Sequence, residues 1–131
     1  FQVNHAEARA GGLRVDLEQS GAARPLGAQA DFALYRAAQE ALTNIRKHAQ
    51  ASAAHLELAY RPESVFLGVQ DDGVGVDSTE SGFGLIGLRE RLELLGGSLR
   101  VQSAAGKGFR LEVEIPLPER VGVRPAGQDG G

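Results

Sequence analysis

Cysteine is absent from the 131 residues. That excludes disulfides and thiolate metal sites, and it permits a reducing cytosol without requiring one. Methionine is absent too, and the chain opens on Phe1, as expected of a piece of a longer protein. No apolar run approaches the ~20 residues of a membrane span, and no signal peptide is recognisable. Neither sign of charge dominates: 14 Lys and Arg stand against 17 Asp and Glu, a net of −3. With no basic run either, the chain offers no general attraction for nucleic acid or anionic lipid. What is present is an ordinary globular composition, 42% hydrophobic and 24% charged, at a length that suits one domain around one core. The 18 glycines matter for where they sit.

Residues 1–12 (FQVNHAEARAGG) are Ala-rich and close on a glycine pair, so they are expected to be the remnant of a preceding helix or linker. Leu13, Val15 and Leu17 then alternate with polar residues, the pattern of a half-buried strand. Residues 19–30, with Gly21, Pro25 and Gly27, read as a connection, and Asp31 as an N-cap or first-turn acid. The stretch LYRAAQEALTNIRKHA, Leu34–Ala49, predicts a helix on which Leu34, Ala38, Ala41, Leu42, Ile45 and Ala49 share one side. Glu40, Asn44 and Lys47 then fall in a narrow arc on the opposite side. Asn inside a helix costs about 0.5 kcal/mol relative to Ala, so this arc is either a plain solvated face or a functional one.

Ala54, Leu56, Leu58 and Tyr60 alternate, Arg61-Pro62-Glu63-Ser64 turns the chain, and Val65, Leu67 and Val69 alternate again, which predicts an antiparallel hairpin. It runs into Asp71-Asp72-Gly73-Val74-Gly75, followed by a polar, Gly-containing loop. Leu85, Leu88, Leu92 and Leu95 predict a second helix ended by Gly96-Gly97, and Leu99–Val101 and Phe109–Ile115 two further strands. The tail 119–131 is Pro/Gly-rich and expected to be disordered. Strand, helix, two strands, helix, two strands implies an α+β fold. The expected form is a two-layer sandwich, a mostly antiparallel mixed sheet with helices on one face.

Three pieces could carry chemistry. Asp71 ends a strand and is followed by Gly73 and Gly75, which let a ligand approach the backbone, although such a sequence is also a common turn. Gly82-Phe83-Gly84-Leu85-Ile86-Gly87 feeds a helix N-terminus, whose free N–H groups suit phosphate. Its spacing and context fit neither a Rossmann nor a Walker motif. Asn44, Glu40 and Lys47 add an amide oxygen for a hard cation shared with phosphates, a carboxylate to order water or act as base, and a positive charge.

The strings QEALTNIRKHA, DDGVGVD, GFGLIGLRERLELLGG and GKGFRLEVEIPL, in this order, resemble the ATP-binding domain of two-component sensor histidine kinases. These belong to the GHKL (Bergerat-fold) ATPases, and the similarity is greatest to nitrate-sensor and lipid-desaturation-sensor kinases. It runs from about Leu13 to Pro118, so residues 13–118 are expected to be the catalytic domain. The resemblance implies ATP and Mg²⁺ as cofactors. By position it implies Asn44 as the Mg²⁺ ligand, Glu40 as the acid that aids phosphoryl transfer, and Lys47 and His48 beside the phosphates. Asp71 would accept from the adenine amine, which favours ATP over GTP, with Gly73 and Gly75 letting the base lie close. Gly82, Gly84 and Leu85 would border the triphosphate, and Val76–Ser81 would form a lid. Asp72 departs from the Asn common in such kinases, and Phe109 stands where many GHKL proteins have a Thr that holds adenine through water.

The phospho-accepting histidine of such kinases lies on a separate dimerisation helix beside an acidic residue. His5, His48 and His55 lack that setting, so the partner implied is a dimerisation domain of the same full-length kinase, with a response regulator reached indirectly. Nucleic acid and direct membrane contact are not expected, and the expected location is cytoplasmic. An anti-sigma-factor-type serine kinase, or an interaction module without catalysis, is the alternative. Arg89 and Arg91 read as a solvated helix face.

Overall fold

The computed structural model describes residues 3–10, 13–48, 52–73, 85–104 and 108–117. Its elements are β1 (Val3–Ala10), β2 (Leu13–Ser20), α1 (Ala28–His48), β3 (Ala53–Tyr60), β4 (Ser64–Asp71), α2 (Ile86–Leu94), β5 (Ser98–Ala104) and β6 (Gly108–Pro116). They build one six-stranded sheet in the order β1-β2-β3-β4-β6-β5. The helix α1 carries the chain from β2 to β3, which pair in parallel; every other neighbouring pair is antiparallel. The mixed two-layer sandwich is therefore as expected, with one strand more.

That extra strand corrects the reading of residues 1–12 as a helix or linker remnant. Ala6, Ala8 and Ala10 repeat with period two and stand in register with Leu17, Val15 and Leu13 of β2. Alanine is the best helix former and is depleted in strands, so its alternation carried little signal. The expected disordered tail, 119–131, lies outside the described residues.

The sheet buries one face. Ala54 and Leu56 of β3, Val65, Leu67 and Val69 of β4, Leu99 of β5, and Phe109, Leu111, Val113 and Ile115 of β6 form one core with both helices. The other face is polar: Arg110 bridges Glu112 (2.7 Å) and Gln70 (2.7 Å), and Arg61 reaches Glu114 (3.3 Å). In α2, Leu88 and Leu92 point inward. Gly96 and Gly97 close that helix by donating to the carbonyls of Glu93 (3.0 Å) and Leu92 (2.8 Å), with Gly96 at φ +75°.

Two expectations for α1 change. It begins at Ala28, inside the connection expected over residues 19–30, and of the two roles read for Asp31 it takes that of first-turn acid. Its buried stripe is Ala30, Ala33, Leu34, Ala37, Ala41, Asn44 and Ile45, while Ala38 and Leu42 are only partly buried. Asn44 thus lies on the core side and not on the helix's back. Alanines at 30, 33, 37 and 41 present a narrow surface to the sheet, and that turns the helix away from the side that Leu42 favoured.

Beside the sheet's end, Asp72 fastens the start of β3. Its Oδ1 accepts from the backbone N–H groups of Ser52 and Ala53 (both 3.0 Å), and its Oδ2 from Ser52 Oγ (2.9 Å). The Ala53 N–H first, then the Ser52 hydroxyl, hold this carboxyl below its ordinary pKa. A depressed folded-state pKa gives stability that is present above the unfolded value and lost as pH falls through the folded one. Urea midpoints followed from neutral to about pH 3 should therefore fall less steeply in Asp72→Asn than in the wild type; parallel acid limbs would contradict the clamp.

Candidate functional site

The alternation of β4 that sends Val65, Leu67 and Val69 into the core also sends in its last residue, Asp71, which is 7% exposed. Two backbone groups hold one of its oxygens: Oδ1 accepts from Gly73 N–H (2.9 Å) and Phe109 N–H (3.1 Å). Its other oxygen, Oδ2, is buried with no hydrogen-bond partner among the described residues. Gly108 sits against this carboxylate at φ +79°, where an added Cβ would stand 2.8 Å from Oδ1. Phe109 itself turns into the core.

A second unpaired group comes from α1. Asn44 is 5% exposed, and its Nδ2 has no partner among the described residues. A buried polar group left unpaired costs about 1–3 kcal/mol, and each of these two is a group that a polar ligand could complete. The chemistry of the pair is acceptor at Asp71 and amide at Asn44, which suits a polar, multifunctional molecule rather than an apolar one.

Glu40 lies one turn before Asn44, at the rim. Its Oε2 accepts from Arg36 Nη2 (3.0 Å), and Arg36 Nη1 also reaches Gln39 (2.7 Å). Glu40 and Arg36 line a groove of about 270 Å³ between the helices, with Phe32, Gly87, Leu88 and Arg91. The carboxylate therefore faces the first turn of α2, whose preceding residue, Leu85, is fully buried and offers no side-chain cap. Leu85 itself therefore supplies no side-chain acceptor to the helix's leading N–H groups.

Of the residues singled out in the sequence, Asp71 and Gly73 meet at the end of β4, Glu40 and Asn44 share α1, and Leu85 precedes α2. Lys47 and His48 lie in the last turn of α1, but their side chains, like Gly75, Gly82, Gly84 and the lid Val76–Ser81, lie outside the described residues. Sequence reasoning missed Arg36, for which the only sign was its position four residues before Glu40. It also missed the Phe109 N–H, a backbone donor with no signature at all. Arg89, set aside as solvated, donates to the Leu99 carbonyl (2.9 Å), and Arg91 stacks over the Phe32 ring at 4.8 Å.

Comparison with known proteins gives a consistent picture. The family described as histidine kinase-, DNA gyrase B-, and HSP90-like ATPase matches residues 30–119. The signal transduction histidine-protein kinase/phosphatase DegS of Brevibacillus brevis is 34% identical over 81% of this chain and 28% of its own length. The oxygen sensor histidine kinase NreB of Staphylococcus carnosus is 30% identical over 82% of this chain and 32% of its own. The chain thus spans about a third or less of these relatives. Among solved structures, the ATP binding domain of PrrB from Mycobacterium tuberculosis matches with a TM-score of 0.57 at 22% identity, covering 84% of both chains. The histidine kinase domain of a blue-light activated kinase from Erythrobacter litoralis reaches 0.62 at 24% identity, over 82% of this chain and 53% of that one. At such identities these two speak for the fold.

If Asn44 is held at the cost of an unpaired amide, Asn44→Leu should stabilise the ligand-free protein by roughly 1 kcal/mol. Urea unfolding measures this; a loss of stability would mean that the amide has a partner within the protein.

Proposed function

This chain belongs to the histidine kinase-, DNA gyrase B- and HSP90-like ATPase family, and we propose that it binds Mg-ATP and delivers the γ-phosphoryl group to a histidine on a separate dimerisation domain. The observation that carries this reading is Asp71, with one oxygen saturated by backbone donors and the other buried and unpaired. A purine amine donating to Oδ2 completes it; a carbonyl at the same place would face lone pair against lone pair, which disfavours guanine. Gly73 and Gly75 allow the base near the backbone.

The Asn44 amide is the group we assign to the cation and phosphates, and we assign Lys47, His48, Gly82, Gly84 and Leu85 to the triphosphate and Val76–Ser81 to the lid. When bound, Mg²⁺ supplies neutralisation of the charge that develops between the β- and γ-oxygens. Arg36 holds Glu40 by Oε2, which leaves Oε1 to take the proton from the accepting imidazole as its other nitrogen receives the γ-phosphoryl group, the bond from the γ-phosphorus to the bridging oxygen breaks and ADP leaves. The groove beside Glu40 leaves room for that ring to arrive from outside the chain. The histidine-bearing partner, in this reading, is the dimerisation domain of the same full-length sensor kinase, with a response regulator downstream. No helix among the described residues is long and apolar enough to cross a membrane, and we assign the domain to the cytoplasm, where ATP is held.

Calorimetric titration with a non-hydrolysable ATP analogue and Mg²⁺ should give saturable binding that GTP does not reproduce. No binding at millimolar nucleotide by folded protein would overturn the assignment. With the histidine helices supplied, Glu40→Gln should keep nucleotide affinity and lower phosphotransfer by about 10²-fold or more; unchanged transfer would remove Glu40 from the reaction.

A further inference from the structure

Resting on the ATP reading above, we infer that the Gly73 and Phe109 N–H groups, with Gly108, fix which atom of residue 71 meets the base. The hydrogen-bond polarity of that one atom then sets purine choice. Two donors converge on Oδ1, at 2.9 and 3.1 Å. A side chain anchored at that corner cannot exchange its two terminal atoms freely, because any atom placed there must accept.

The neighbours remove the other ways of adapting. Phe109 is 2% exposed, and its ring has no hydroxyl that could rotate between donating and accepting. Asp72, next in sequence, is tied to Ser52 and Ala53 and so is not free to replace Asp71. Gly108 holds the corner open. An added Cβ would stand 2.8 Å from Oδ1 and 3.2 Å from the Asp71 carbonyl oxygen, at a φ of +79° that side chains rarely adopt. Gly108 is therefore a positioning residue, acting through Asp71.

A specific consequence follows for Asp71→Asn. Its amide oxygen must occupy the Oδ1 position, since an NH₂ there would oppose two N–H donors. The NH₂ then takes the place of Oδ2, and an acceptor becomes a donor. The adenine amine now meets a donor, while a purine with a carbonyl at the same ring position meets a partner. The substitution should invert preference rather than merely weaken binding.

The test titrates the whole chain, with Mg²⁺, against non-hydrolysable analogues of ATP and of inosine triphosphate, whose base carries the carbonyl without guanine's extra amine. Asp71→Asn should bind the ATP analogue about tenfold or more weaker than wild type, and the inosine analogue about tenfold or more tighter. Asp71→Ala, which removes both atoms, should lose the preference without gaining on inosine. Gly108→Ala should also lose the preference. Gly27→Ala should keep it, because Gly27 has the same kind of backbone strain (φ +93°) but open space around its Cβ position. Wild-type preference for ATP together with a folded Asp71→Asn that gains nothing on inosine overturns the inference and leaves the ATP reading standing. So does a Gly108→Ala protein that discriminates like wild type, which keeps the question decidable should Asp71→Asn not fold. A wild type that binds neither analogue removes both.

Discussion

A sheet covered by helices on one side only must send every second residue of its central strands into the helix layer. β4 obeys from Val65 through Val69, and the next residue in that phase is Asp71. The burial that makes the core thus also delivers a carboxylate out of water, at the strand's end, where the chain leaves the sheet. Everything distinctive about the site depends on this. In solvent, Asp71 would exchange its hydrogen bonds with water and recognise nothing. Buried, with Oδ1 already satisfied, it presents one acceptor of fixed direction.

Its neighbour shows the same chemistry with the opposite outcome. Asp72 points to the solvent side, accepts three hydrogen bonds from Ser52 and Ala53, and fastens one strand to the next. Two adjacent carboxylates on opposite sides of the chain become a structural clamp and a buried acid with one oxygen unpaired. Asn44 repeats the theme on the helix layer. The small alanines of α1 turn the helix so that an amide, rather than another apolar side chain, enters the core. Such unpaired groups lower the stability of the empty domain and make it responsive to whatever completes them.

Much of this was legible from residue order. Alternation located β2 through β6, the leucine spacing located α2, and Gly96-Gly97 its end. Asp71 was legible because it extends a strand pattern by one position. Three things were not. Alanine favours helices and is depleted in strands, which hid β1, and its small apolar side chain marks a buried face weakly, which misplaced the inward face of α1, where Leu42 outweighed Ala33 and Ala37. The partners of Asp71 Oδ1 are backbone N–H groups, one of them 38 residues away, and a backbone donor has no residue type to read. The groove between α1 and α2 joins Arg36 and Glu40 to Arg91, a meeting that only the packing of the two helices determines.

The claim that Asp71 and Asn44 wait for one nucleotide is tested most directly by amide-resolved NMR during titration with a Mg²⁺-bound, non-hydrolysable ATP analogue. The backbone N–H signals of Gly73 and Phe109 and the side-chain NH₂ of Asn44 should shift together and saturate at one concentration. The Ser52 and Ala53 N–H signals, held by Asp72, should move little. Saturable binding that leaves Gly73, Phe109 and Asn44 unmoved would place the nucleotide elsewhere and contradict the claim.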